Sequence, residues 1–230
     1  MSLWDDPLAT ESIEANEVKK NEGISVVIGN PPYSNSSINQ NQWILDLINV
    51  YKEGLNEKNL NLDEDSIKFI RYGQYLIDKN GEGILAYISN NSFLNGVTHR
   101  KMRQELITSF NLIYVLNLHG DSNRLEKCTD GSKDENVFDI KQGVSIHIFV
   151  KSSSQNNETC KVYYKDLYGL KYAYLSEKIG DIVWENIHPQ MPFFFLTIKT
   201  TQNQKDMMLD FREQICLVRR IQAYKPKMMS

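Results

Sequence analysis

Little in this chain belongs to a secreted, metal-binding or membrane protein. Its three cysteines, Cys128, Cys160 and Cys216, are odd in number, far apart and form no Cys-x-x-Cys pair. That excludes a disulfide frame and a thiolate zinc site, and it fits a reducing, cytoplasmic compartment. The four histidines, His99, His119, His147 and His188, show no metal-ligand spacing, so no metal is expected and each reads as a hydrogen-bonded structural residue. Positive charge is not in excess either, with 26 Lys and Arg against 29 Asp and Glu. A self-contained nucleic-acid binder usually carries a basic face, so any DNA contact here must be local. No apolar run approaches a membrane span; the longest, 191 to 198, is short and broken by Pro192. The N-terminus has no basic-then-apolar signal pattern, and there is no internal repeat. Gly-Glu-Gly at 81–83 precedes a strand pattern instead of joining strand to helix, so it is not a phosphate-binding loop.

What is present is organised around ISVVIGNPPYS, residues 24 to 34. Val26-Val27-Ile28 reads as a buried parallel strand. Gly29 closes it, and Asn30-Pro31-Pro32-Tyr33 follows at the C-terminal end, the end of a strand where ligands bind in open α/β sheets. Two consecutive prolines fix φ and remove backbone donors, which makes a stiff turn with outward carbonyls. Such a turn suits methylation of an exocyclic amine, whose lone pair is delocalised into its ring. The Asn30 amide oxygen and the Pro31 carbonyl could each accept one N–H and so aim the nitrogen lone pair at an incoming methyl group. Tyr33 offers a flat face for a flipped base. No strong base is required. The plainer alternative is a Pro-Pro turn with a half-buried aromatic.

The remaining chain reads as alternating helices and strands. Residues 11–20 could form a helix packing on the sheet, and 34–41 are a polar loop. Trp43, Ile44, Leu47, Ile48 and Tyr51 recur at helical spacing over about 42–53, and a second helix runs over about 64–79, ended by Asn80-Gly81. Its Phe69, Tyr72 and Tyr75 read as packing residues. Residues 83–90 form a strand with Ser89-Asn90-Asn91-Ser92 at its C-terminal end; these short side chains could line the mouth of a site, but Ser92 as the cap of the next helix is the favoured reading. That helix, 98–110, turns Met102, Leu106 and Ile107 inward and carries His99, Arg100, Lys101 and Arg103 on its outer face. These four could track a DNA backbone, although a solvated helix face is the more ordinary explanation. Residues 111–118 form a strand, 120–136 a long polar segment of the kind that is functional or disordered, and 143–150 an alternating strand. Cys160 to Tyr164 reads as a further strand, 176–182 as a helix or turn, and 200–224 as one long helix within a stretch rich in Lys and Arg.

Asn-Pro-Pro-Tyr after an apolar strand resembles motif IV of the amino-methyltransferases that use S-adenosylmethionine, above all the adenine-N6 DNA methyltransferases. GILAYISNNSFL (83–94) and DENVFDIKQGVSIHIFVK (134–151) are similar to the methylase region of large single-chain restriction-modification enzymes. The resemblance covers about 20 to 151 and extends more weakly to about 195. It implies a partial Rossmann-like α/β methyltransferase fold, with 143–150 as the antiparallel strand that completes the sheet. It also implies transfer of a methyl group from S-adenosylmethionine to N6 of adenine in double-stranded DNA. Asn30, Pro31, Pro32 and Tyr33 would be catalytic, with Asn30 also at the cofactor. Phe138 matches the family's second aromatic, which packs on the flipped base opposite Tyr33, although burial of Phe138 within the sheet is an equal alternative.

One departure stands out. The family's Gly-rich cofactor turn lies upstream of motif IV, and only 29 residues without Gly-x-Gly precede Asn30. The expectation is a piece of a larger polypeptide, with a partial catalytic domain at 1–158 and the start of an appended, DNA-recognition region at 159–230. Alone it should be inactive, bind the cofactor poorly and self-associate through the open sheet edge at Val26 to Ile28. Alternatives are methylation of a glutamine side chain or an RNA guanine, where related turns occur, and a non-catalytic DNA-binding or assembly module.

Overall fold

In a computed structural model the described residues are 7–21, 23–33, 37–55, 62–155, 159–169 and 182–198. Among the described residues four α-helices, α1 (Pro7–Asn21), α2 (Gln42–Lys52), α3 (Asp65–Asn80) and α4 (Arg100–Ser109), accompany six strands. These are β1 (Val26–Gly29), β2 (Gly83–Asn90), β3 (Leu112–His119), β4 (Val144–Lys151), β5 (Lys161–Asp166) and β6 (Glu185–Ile187). They form one sheet in the order β1-β2-β4-β3-β5-β6. β1 pairs parallel with β2, and β3 parallel with β5, while β4 runs antiparallel between β2 and β3. The directions therefore put the C-terminal ends of β1, β2, β3 and β5 on one edge.

The helices form where apolar spacing and end residues agree. Asn41 caps α2 by accepting the Ile44 N–H at 3.0 Å. Gly81 closes α3 in the left-handed region at φ 88°. α2 buries Ile44, Ile48 and Tyr51, α3 buries Ile67, Ile70 and Ile77, and α4 buries Met102 and Leu106. All of these except Ile44 meet Leu85, Ile113, Val115 and Phe149 of the sheet in one core. Gly73 permits the close approach of α3 to β2, since a Cβ there would lie 2.4 Å from Leu85 Cδ1.

Several expectations are corrected. β1 is parallel but not buried: it is the outer strand, and Val26 and Ile28 are 58% and 78% exposed. Helix α1 forms, yet Thr10 to Glu17 are all exposed, so this stretch does not pack on the sheet. Ser92 is not the cap of the following turn; the Asn90 side chain accepts the Ser92 N–H at 2.7 Å instead. Strands β5 and β6 are hydrogen-bonded into the same sheet, and the chain divides into a compact unit running to Leu196 and a second unit at 197–230. The helix expected at 200–224 and nearly all of the turn at 176–182 lie outside the described residues.

Candidate functional site

The C-terminal edge gathers the polar ends of four strands. β1 delivers Asn30 exposed, Pro31 buried, Pro32 exposed and Tyr33 half-buried. Among the described residues no hydrogen bond engages the Asn30 amide or the Pro31 carbonyl. The Tyr33 hydroxyl donates to the Ile88 carbonyl at 3.5 Å, the long limit for such a bond. Burial pushes the Tyr33 phenol up to about 12, so it stays neutral. Its ring centroid lies 6.0 Å from that of Phe138 at an interplanar angle of 51°. Phe138 is therefore not buried in the sheet; it sits half-exposed on the loop before β4, facing the tyrosine.

β2 contributes Asn90 and Asn91. The Asn91 side chain donates to Asn117 Oδ1 of β3 at 3.0 Å, and the Asn117 amide donates to the Tyr164 hydroxyl at 3.0 Å. The Tyr164 hydroxyl in turn bonds Asp166 at the end of β5. Asp166 Oδ1 also lies 2.6 Å from His119 Nε2, and Glu126 Oε1 lies 3.6 Å from His119 Nδ1. The imidazole stacks on Tyr168 with centroids 3.8 Å apart. Burial pulls the His119 imidazole down, but its bonds to Asp166 and Glu126 outweigh that and hold it up at about 9. It is a charged, structurally engaged histidine at the last residue of β3. His147, by contrast, is fully buried against Tyr87, Phe93 and Phe149, and burial drives it down to about 3, leaving it neutral. No group of His, Cys, Asp and Glu among the described residues could hold a metal ion.

The basic residues do not form one DNA-facing surface. His99 and Arg103 are buried, 4% and 0% exposed. Arg103 makes five hydrogen bonds to the carbonyls of Phe93, Gly96, Phe193 and Phe194, tying the 191–196 turn to the start of α4. Its guanidinium also lies over the Phe195 ring. The reason is helical phase, since 99, 103, 106 and 110 share the stripe that faces the core. Of the four, Arg100 donates to the Val97 carbonyl and Lys101 pairs with Glu105.

The loop between β3 and β4 holds residues that composition did not single out. Asp134 accepts the Gly120 N–H at 2.7 Å and the Gly169 N–H at 2.9 Å. Asn136 donates to the carbonyls of Gly120 and Gln142 and accepts the Phe138 N–H. The polar segment is thus pinned to the sheet edge by its own acids and amides.

Comparison with known proteins agrees with this architecture. The model of the Eco57I restriction-modification methylase family matches residues 4–124. No curated protein matches the chain. Among solved structures, the DrdV–DNA complex seen by cryo-electron microscopy superposes with a TM-score of 0.71 at 24% identity, over 84% of this chain and 20% of that one. A nuclease-deletion mutant of the Type ISP restriction-modification enzyme LlaGI, in complex with a DNA substrate mimic, gives 0.70 at 24% identity, over 87% and 20%. The ATP-dependent Type ISP restriction-modification enzyme LlaBIII bound to DNA gives 0.67 at 28% identity, over 89% and 14%. The chain spans a fifth or less of the length of each of these structures. With the matched region covering more than half of its residues and containing the Asn-Pro-Pro-Tyr turn, the chain belongs to the Eco57I restriction-modification methylase family.

Proposed function

We propose that this chain carries the adenine-holding edge of a DNA methyltransferase of a restriction-modification system. The reaction is transfer of a methyl group from S-adenosylmethionine to the N6 amino group of adenine in double-stranded DNA. The observation that carries the reading is the meeting of Tyr33 and Phe138, far apart in sequence, at the strand edge where Asn30 is exposed and unengaged.

On the acceptor side the steps follow from charge and geometry. Asn30 Oδ1 and the Pro31 carbonyl accept the two N–H groups of the amine and hold its lone pair out of conjugation with the ring. The ring is held between Tyr33 and Phe138 after leaving the duplex stack, and stacking of about 1–3 kcal/mol per base offsets much of the unstacking cost. Held this way, the nitrogen presents its lone pair toward a methyl donor, and the proton it sheds on methylation passes to water. A neutral phenol at position 33 is a wall for the base, not its proton acceptor.

S-adenosylmethionine supplies the methyl group as an electrophilic sulfonium. Among the described residues no glycine-rich turn joins a strand to a helix at this edge. Asn30 borders the reacting atoms, but the residues present do not make a cradle for the cofactor, and none is assigned here. The partners implied are DNA and, for cofactor binding, further polypeptide of the same enzyme. The test is mass spectrometry of nucleosides from DNA treated with the full-length natural protein and S-adenosylmethionine. N6-methyl-2′-deoxyadenosine is the expected product; methylation confined to deoxycytidine, or no methylated nucleoside at all, contradicts the reading.

A further inference from the structure

The aromatic pair poses a mechanical question, because Phe138 sits on a loop and a loop residue holds a ring still only if something holds the loop. The segment from 138 to 142 forms an arch that leads into β4. Both of its feet rest on one side chain. Asn136 Oδ1 accepts the Phe138 N–H at 2.9 Å, and Asn136 Nδ2 donates to the Gln142 carbonyl at 2.6 Å. The same Nδ2 donates to the Gly120 carbonyl at 3.2 Å, which anchors the arch to the end of β3. Both amide N–H groups and the amide oxygen are thus in use, and no other side chain of this size offers two donors and an acceptor in that arrangement.

The anchor is itself built for close approach. His119 and Gly120 are consecutive left-handed residues, φ 53° and 77°, and a Cβ on Gly120 would lie 2.5 Å from Asn136 Cα. Only glycine lets Asn136 sit this near the β3 corner. One residue pair earlier, Asp134 grips the Gly120 and Gly169 N–H groups and so joins the corner to the chain leaving β5.

From this clasp we infer that Asn136 is the positioning residue of the base site, setting the place at which the Phe138 ring faces Tyr33. The inference rests on the base-holding reading of that pair. Asn136 touches no reacting atom; it acts through Phe138.

The test is a double-mutant cycle on methyl transfer by the full-length natural protein, with Asn136→Ala, Phe138→Ala and the two combined. The expected result is a loss of about tenfold for Asn136→Ala in the wild-type background that disappears when Phe138 is already alanine. An equal loss in both backgrounds, or no loss in the first, overturns the inference, because a merely structural residue would not show the coupling. Asn136→Asp, equal in shape, passes through the same cycle as a second variant in case the alanine protein does not fold. It keeps the acceptor for the Phe138 N–H but turns an oxygen toward two carbonyls, and the same coupled loss is expected. A Phe138→Ala enzyme as active as the wild type would remove the base-holding reading itself, and that outcome is distinct from an uncoupled Asn136.

Discussion

The ring centroids of Tyr33 and Phe138 stand 6.0 Å apart, with the planes tilted at 51°. A flat base with two contacts of about 3.5 Å needs the rings about 7 Å apart and nearly parallel. The pair must therefore open by roughly an ångström, and the weak hydroxyl contact of Tyr33 to Ile88 opposes this little. Removing either ring, as Tyr33→Ala or Phe138→Ala, is expected to cost about 1–3 kcal/mol of transition-state stabilisation in DNA methylation assays. Tyr33→Phe, which keeps the face and loses only the long hydrogen bond, should stay close to wild type.

Arg103 is buried and bonded within the fold. Its loss leaves carbonyls of Phe93, Gly96, Phe193 and Phe194 without their donor in the interior. Each unsatisfied group costs about 1–3 kcal/mol, so Arg103→Met should lower the melting temperature by on the order of 10 °C. Lys101→Ala, which breaks only a surface pair with Glu105, should move it little. Equal effects of the two substitutions would contradict this assignment.

Why some of this was legible in the sequence and some was not follows from the physics of each element. Strand β2, helix α3 with its Gly81 terminator, and the antiparallel β4 were readable because apolar period and end residues agree there. The exposure of Val26 and Ile28 depends on which strand is outermost, which an apolar run does not encode. Charge alone puts Arg103 on the outer face, whereas helical phase puts 99, 103, 106 and 110 on the core stripe with Met102 nearby. Asn136 was illegible: one amide in a polar loop gains meaning only when the β3 corner folds back onto it. The Tyr33–Phe138 pairing came from family resemblance, and no local pattern marks it.

The His119 cluster makes stability depend on pH in a defined direction. His119 is held at about 9, above its ordinary value of about 6.5, by Asp166 and Glu126. Its stabilisation is thus complete below about 6.5 and fades as pH climbs through about 9. Asp166 and Glu126 are held below their ordinary range despite burial, so their share is present above that range and lost as pH falls. The melting-temperature gap between wild type and His119→Gln should be widest near pH 6 and small at about pH 10. A gap that widens with rising pH would refute the charged pair.

Among the described residues no strand pairs with the outer side of β1, where Val26 and Ile28 are exposed. Such edges template association with other strands. Light scattering of this chain over rising concentration should show self-association that Ile28→Lys reduces. A wild-type chain that stays monomeric over the same range would count against the edge as an adhesive surface.

The measurement that bears most directly on the account is methyl transfer by full-length protein carrying Asn30→Ala, read beside its affinity for DNA. If the unengaged amide orients the amine, turnover falls on the order of a hundredfold while DNA binding is unchanged. Turnover that survives the substitution at near wild-type rate would show that the Asn-Pro-Pro-Tyr turn does not perform the chemistry assigned to it.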